Sequence, residues 1–330
     1  MKNFLIKVAV FAVLLFLMDR GITAGLRLVR PVDYTAFIES KQEFFQREDN
    51  FDILLLGDSH ICDGVDPRIL KEELGLTSFN LGVYIASPYE YYYTLLAACQ
   101  HLKQKPKMII IGASQLMFSR PAIPGRYTPL IIKDRAVLWS MSANASDPRW
   151  MKYFFSSVNE SYLFRSLAAK LMGKKHHPSR EITAISNGYL EVRNQTRGIN
   201  WKKPRIEPNK AQSAQQIEYF KKILAYAKEQ GIAVQIINTP YWFPKIDLER
   251  KKGVSFWKTT ETLQACANEY NIPVHNIEFN VLRDSLEQKD FLDQDHLNYY
   301  GAQKYTRALA EWIRPTYARQ IGATPASEGL

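Results

Sequence analysis

The stretch that most constrains this chain is Phe51 to Asp63, FDILLLGDSHICD. Ile53 to Leu56 run apolar into Gly57-Asp58-Ser59-His60 with no turn signal before the glycine. So short a run, bounded by glycine, reads as a strand buried on both faces of a parallel sheet. Open parallel sheets place their ligands at the carboxyl ends of their strands. A serine just past that edge can present its hydroxyl to a cleft, as a nucleophile in acyl transfer must. The plainer alternative is a strand-end turn in which Asp58 or Ser59 caps a helix.

A serine is a poor nucleophile without a base, and the base needs a third group to hold its tautomer. The stretch FLDQDHLNYYGAQKYTRALAEWI, Phe291 to Ile313, offers both. Asp293 stands three residues before His296, ahead of a helix expected to start near Tyr299. On such a loop the carboxylate can fold back to Nδ1 while Nε2 faces outward. The alternative is a histidine that caps or packs.

Gly57-Asp58-Ser59 at the first strand end, with Asp293-x-x-His296-Leu297-Asn298-x-x-Gly301 near the C-terminus, resembles the SGNH (GDSL-type) hydrolases and acyltransferases. The resemblance covers Phe51 to about Leu102 and Gly231 to Ile313 and leaves the middle unmatched. It implies a flavodoxin-like three-layer α/β sandwich with a parallel sheet of about five strands. It also implies Ser59 as nucleophile, His296 as base and Asp293 as the group that orients it. The oxyanion hole of that family uses the serine N–H, a glycine N–H after the second strand and an asparagine after the third. Here the glycine matches Gly82, in Asn80-Leu81-Gly82. The asparagine position is held by Ser114, with Gln115 beside it, so the third donor departs from the pattern. Either side chain can donate to an oxyanion.

The remaining expectations come from the residues in order. A chain of 330 residues, 46% of them hydrophobic, has room for one large α/β domain with additions. Met1 to Met18 begins with Lys2 and Lys7 and contains an unbroken apolar run, Val8 to Met18, closed by Asp19-Arg20. That pattern reads as a signal-anchor or transmembrane segment over 1–28, with the body outside the cytoplasm; a cleaved signal is the alternative. Residues 29–50 read as a stalk with a helix around Tyr34 to Arg47, and 51–320 as the catalytic domain. Within it lie helices at Pro67–Leu74, Ser87–Leu102, Ala211–Glu229, Phe256–Tyr270 and Tyr300–Trp312. The further strands fall at Thr77–Leu81, Lys107–Ile111, Ile232–Asn238 and Pro273–Asn276. The segment 118–210 interrupts this alternation and reads as a cap insertion, and 321–330 as a disordered tail.

Between Arg165 and Lys210 there are eleven Lys or Arg and three Glu, a balance of +8 in a chain of net charge +10. That is either a solvated cap surface or a basic wall favouring anionic polymers or lipid headgroups. Tyr241 and Trp242, at the end of the strand Ile232–Asn238, are expected to line the cleft, and Asn298 is grouped with them as substrate-binding. Cys62, Cys99 and Cys266 match no metal-ligand spacing, and His176-His177 has no carboxylate or cysteine near it, so no metal and no cofactor is expected. The basic excess lacks a nucleic-acid-binding fold around it, which argues against nucleic acid as a partner.

Anchor and SGNH-like body together are similar to membrane-anchored proteins that act beside membrane-bound O-acyltransferases. Among these are the D-alanyl transfer protein of lipoteichoic acid synthesis and exopolysaccharide O-acetylation proteins. That resemblance implies transfer of a small acyl group to a cell-envelope polysaccharide or lipid-linked acceptor, with a membrane-bound O-acyltransferase as partner. An exported esterase that only hydrolyses, and a catalytically silent polysaccharide-binding subunit, are the alternatives.

Overall fold

The computed structural model describes residues 2–27, 32–125, 127–145, 171–172, 182–193, 199–206, 210–253, 256–272, 274–275 and 285–320. In chain order its strands are β1 (Ile53–Leu56), β2 (Ser78–Asn80), β3 (Met108–Ala113), β4 (Ile182–Ala184), β5 (Leu190–Val192), β6 (Ala233–Asn238) and β7 (Val274–His275). Five form one sheet in the order β2-β1-β3-β6-β7, and every pairing in it is parallel. β4 and β5 make a separate antiparallel hairpin. The order reverses direction between β1 and β3, and at such a switch point the two adjacent loops part to leave a crevice above the strand ends.

The side chains of β1 alternate between two cores, as the period of two requires. Leu54 and Leu56 join Ile109, Ile111 and Ile236 on one face, while Ile53 and Leu55 join Met108, Ile110 and Ile237 on the other. Among the described residues the helices, in chain order, are α1 (Lys2–Arg27), α2 (Val32–Gln42), α3 (Ser59–Gly64), α4 (Pro67–Leu74), α5 (Pro88–His101), α6 (Thr128–Ile131) and α7 (Arg135–Ala143). They continue with α8 (Ala214–Gln230), α9 (Phe243–Lys251), α10 (Phe256–Glu269) and α11 (Tyr299–Gln320). Leu95 and Ala98 of α5, Phe220 and Leu224 of α8, and Leu263 of α10 cover the first face. Ile61 of α3, Leu70 of α4, and Tyr305 and Leu309 of α11 cover the second. The result is a three-layer α/β/α sandwich.

Two glycines set how closely the nucleophile-bearing helix sits on the sheet. A Cβ at Gly57, after β1, or at Gly112, in β3, would overlap the Ile61 side chain of α3. Leaving both positions bare lets Ile61 drop between the strand ends, fully buried.

The N-terminal part departs from its expected division. Phe37, Ile38 and Phe44 are buried in the first core, so from residue 35 onward the expected stalk is part of the domain. Lys41 of α2 is fully buried; its ammonium donates to Asn80 O at 2.9 Å and to Gly188 O. Asn80 in turn holds α3 from behind, donating Nδ2 to Ile61 O at 2.7 Å and Val65 O at 2.8 Å. Helix α1 carries Phe4, Leu5, Val8, Phe11, Leu14 and Leu17 exposed. Yet among the described residues no helix is long and apolar enough to cross a membrane. Lys7, Asp19 and Arg20 divide α1, so the helix does not by itself carry the expected full span.

In the insertion, α6 and α7 pack on a tyrosine-rich face of α5 and α8 formed by Tyr89, Tyr93 and Tyr219 with Ile132, Val137 and Met141. The tyrosines after Ser87 are thus packing residues. His176, His177, Lys174, Lys175 and the tail from 321 lie outside the described residues.

Candidate active site

β1 ends at Leu56, and Asp58 caps α3 by accepting from the His60 N–H at 3.1 Å. Ser59 is therefore the first residue of a short helix, not a loop residue, and its side chain is thrown up at the sheet edge. The Ser59 Oγ lies 2.8 Å from His296 Nε2. His296 Nδ1 lies 2.8 Å from Asp293 Oδ1, and the same oxygen accepts the backbone N–H groups of Asp295 and His296, each at 2.9 Å. A carboxylate can only accept, so the shared proton sits on Nδ1 and leaves Nε2 to accept from the serine hydroxyl. The three side chains thus form a connected nucleophile–base–orienter chain. Both Asp293 and His296 have side chains 15% exposed, sheltered but open to substrate.

The loop carrying His296 is fixed from several sides. Phe291 and Leu297 bridge across it. Tyr305 of α11 donates to Asn238 O at the end of β6, at 3.0 Å. The buried Lys245 of α9 pairs with Asp295 and stands 3.9 Å from Glu249. An uncompensated buried ammonium would be costly, so these two carboxylates are what allow Lys245 to sit there.

These groups open on a cavity of about 220 Å³ lined by Asp58, Ser59, His60, Ile85, Ser114, Gln115, Leu116, Arg120, Tyr241, Lys245, Asp295 and His296. Of the expected oxyanion donors, Gly82 is otherwise engaged: its N–H donates to Asn80 Oδ1 at 2.9 Å. A Cβ there would come within 2.7 Å of the Cys62 nitrogen, so the glycine serves close packing against α3. Ile85 lines the cavity instead. Its φ of 65° lies in the left-handed region, a strained conformation for a β-branched residue. Its N–H, like that of Ser59, has no hydrogen-bond partner among the described residues. The Gln115 side chain is also committed, donating to Glu249 Oε2 at 3.1 Å. Ser114 Oγ, buried beside Asp58, makes no hydrogen bond of good geometry. Among the described lining residues, Ser59 and Ile85 thus keep an N–H, and Ser114 a hydroxyl, that no backbone or side-chain acceptor engages in good geometry.

The expected substrate-binding residues divide in the same way. Tyr241 lines the cavity, its oxygen accepting the Gln115 N–H at 3.0 Å. Trp242 packs edge-on against Trp201 at 5.2 Å and is not part of the wall. Asn298 is a helix cap: Oδ1 accepts from Tyr300 N at 3.0 Å and Gly301 N at 3.2 Å, and Nδ2 donates to Lys289 O at 2.6 Å.

Four charged or ionisable lining groups, His60, Arg120, Lys245 and Asp295, were not singled out from sequence. Arg120 donates to Ala86 O at 2.7 Å and stands 3.8 Å from Asp58. Burial alone would raise the Asp58 pKa, but His60 and Arg120 outweigh it and hold the carboxyl well below the usual range. Burial pushes the Cys62 thiol well up, so that sulfur is a packed thiol and no rival nucleophile. Among the described residues no cluster of ligating side chains could hold a metal ion.

No curated protein matches the chain in sequence. One protein-family model matches residues 193–318, under half of the chain. Among solved structures, TesA resembles it over 80% of this chain and 98% of its own, at 10% identity and a TM-score of 0.41. A lipase/acylhydrolase from Enterococcus faecalis covers 80% of this chain and 95% of its own, at 11% identity and a TM-score of 0.38. A catalytic mutant of an acetylxylan esterase from Geobacillus stearothermophilus covers 84% and 96%, at 13% identity and a TM-score of 0.37. Likenesses this distant assign no activity.

Proposed function

We propose that this chain is a serine-dependent acyl-ester enzyme of the SGNH type. The observation that carries the reading is the 2.8 Å contact of Ser59 Oγ with His296 Nε2, backed by the 2.8 Å contact of Nδ1 with Asp293. His296 takes the serine proton as Oγ attacks an ester or thioester carbonyl. The developing oxyanion is met at the cavity wall by the Ser59 and Ile85 N–H groups and the Ser114 hydroxyl. His296 then returns the proton to the leaving oxygen or sulfur, and the acyl-enzyme passes its acyl group to water or to a hydroxyl. A small acyl group such as acetyl fits a cavity of about 220 Å³.

The finer reading is an enzyme attached to the cell membrane through α1, its domain outside the cytoplasm. There it would move or remove acyl groups on a cell-envelope polysaccharide or lipid-linked polymer, beside a membrane-bound O-acyltransferase. The exposed apolar residues of α1 support attachment, since a surface that apolar marks a membrane or protein contact.

A fluorophosphonate should label Ser59, and the protein should turn over p-nitrophenyl acetate in a manner abolished by Ser59→Ala. Absence of labelling and turnover would favour the silent polysaccharide-binding subunit. Separately, full-length protein should pellet with membranes and resist carbonate extraction. Release by carbonate would place α1 at the surface of the bilayer, and a wholly soluble full-length protein would end the membrane reading.

A further inference from the structure

His60 follows the nucleophile directly and has no part in the chain from Ser59 to Asp293. It belongs to a second aspartate–histidine pair. Its Nδ1 is 2.8 Å from Asp58 Oδ1. Its ring stacks on that of His296 at 4.6 Å and 23°, and meets Tyr241 at 4.7 Å. The ring lines the same cavity as Ser59, and its Nε2 is buried with no hydrogen-bond partner among the described residues. A buried ring nitrogen left unmet is costly unless something else satisfies it.

The chemistry of that missing partner follows from the pair. Asp58 faces His60 on one side and Arg120 on the other and is an acceptor only, so the proton in the Asp58–His60 bond belongs to Nδ1. In the neutral ring Nε2 then carries a lone pair and calls for an O–H or N–H donor. The neutral ring is also the form compatible with catalysis: a second cation stacked on His296 would oppose the proton uptake that each half-reaction demands. An attacking hydroxyl has only one proton, and His296 takes it. Whatever donates to His60 must therefore be another hydrogen on the same acceptor, the second one of water or a neighbouring hydroxyl of a polyol.

Resting on the serine acyl-enzyme reading above, we propose that His60 is a second catalytic histidine that holds the acyl acceptor through its second O–H. In deacylation the attacking hydroxyl bonds to the acyl carbon and gives its proton to His296 Nε2. The carbon–Oγ bond to Ser59 breaks, and the proton passes from Nε2 to Oγ. His60 exchanges no proton in the cycle. It orients the acceptor, and it discriminates in favour of water and vicinal diols over simple alcohols.

The test uses full-length protein with p-nitrophenyl acetate as donor and water, ethanol or ethylene glycol as acceptor. The initial burst of p-nitrophenolate reads acylation, and acetyl ester formation or acetate release reads deacylation. His60→Phe keeps a stackable ring and removes Nε2. It should slow transfer to ethylene glycol and water at least about tenfold more than it slows the burst or transfer to ethanol. His60→Gln, which can offer an amide oxygen near the same place, should recover part of the loss. It also serves if the Phe variant fails to fold. Selectivity lost for ethylene glycol alone would make the polyol the natural acceptor, and selectivity lost for water alone would make the enzyme a hydrolase; either supports the proposal. Equal losses in burst, ethanol and ethylene glycol would show that His60 only supports His296, and no loss would show that it holds nothing. Both overturn it. Turnover surviving Ser59→Ala would instead overturn the serine reading itself.

Discussion

Asp293 binds His296 twice through one oxygen, at the backbone N–H (2.9 Å) and at Nδ1 (2.8 Å). The carboxylate thus shapes the turn that carries the ring and sets the ring's tautomer at once. Asp293→Asn can keep the first bond through its amide oxygen but offers Nδ1 a poorer partner. It should lower kcat on p-nitrophenyl acetate by about 10- to 10⁴-fold, less than His296→Ala does, with the melting temperature little changed. A loss as deep as that of His296→Ala, together with a lowered melting temperature, would assign Asp293 to the loop's fold and not to the ring.

Ile61 ties the nucleophile helix to the sheet through the gap above Gly112 and Gly57. Gly112→Val would force that side chain out and with it α3. Overpacking of this kind costs about 1–3 kcal/mol, readable as a lowered urea midpoint, and activity should fall further than the folded fraction does. Activity in proportion to folded protein would mean that α3 tolerates the shift.

Glu90 is fully buried at the start of α5, where it accepts the Thr128 hydroxyl at 2.6 Å and the Gly125 N–H at 3.0 Å. Burial raises its pKa to about 7, against the opposing hydrogen bonds and Arg120. Folding therefore favours the protonated acid. The stabilisation is full below the unfolded value of 4.5 and is lost as pH rises through about 7. The fall should approach about 3 kcal/mol by pH 8. Chemical denaturation at pH 5 and pH 8 should show it in the natural protein, and Glu90→Gln should flatten it. An unchanged slope in Glu90→Gln would place the pH dependence elsewhere.

Ile85 puts a strained backbone and an apolar side chain at the cavity wall together. If the backbone N–H is what the site uses, Ile85→Gly keeps the donor, relieves strain of about 1–3 kcal/mol, and widens the cavity. Turnover of p-nitrophenyl acetate should stay within about threefold, and that of the butyrate ester should rise relative to it. A large loss on acetate with no gain on butyrate would assign the side chain, not the N–H, to catalysis.

Local chemistry was legible along the chain wherever neighbours in sequence decide the outcome. Asp66-Pro67 and Gly75 bound α4 at Pro67–Leu74, because proline suits the first helical turn and glycine alone sits easily at the φ of 70° that ends it. β1 is the run Ile53–Leu56, buried throughout, because an unbroken aliphatic tetrapeptide has no polar face to turn outward. Asp293 three before His296 is likewise a local relation, closed within one turn. The insertion was not legible in this way. The hairpin β4–β5 is three residues a side, too short for alternation to show, and it packs on α2 and α3, which lie far from it in sequence.

What the sequence alone determined was the set of reactive groups, the strand that presents Ser59 and the turn that presents His296. The distance between those two could not be read from it. They stand 237 positions apart, and only the sheet order β2-β1-β3-β6-β7, with α11 packed against α3 and α4, brings Oγ to 2.8 Å from Nε2. The choice of oxyanion donors was also tertiary: Gly82 and Gln115 fit by residue type, yet Asn80 and Glu249 reach them first. A hydrogen-bonding group has a fixed capacity, and which partner fills it depends on contacts between distant segments that residue type and spacing do not encode.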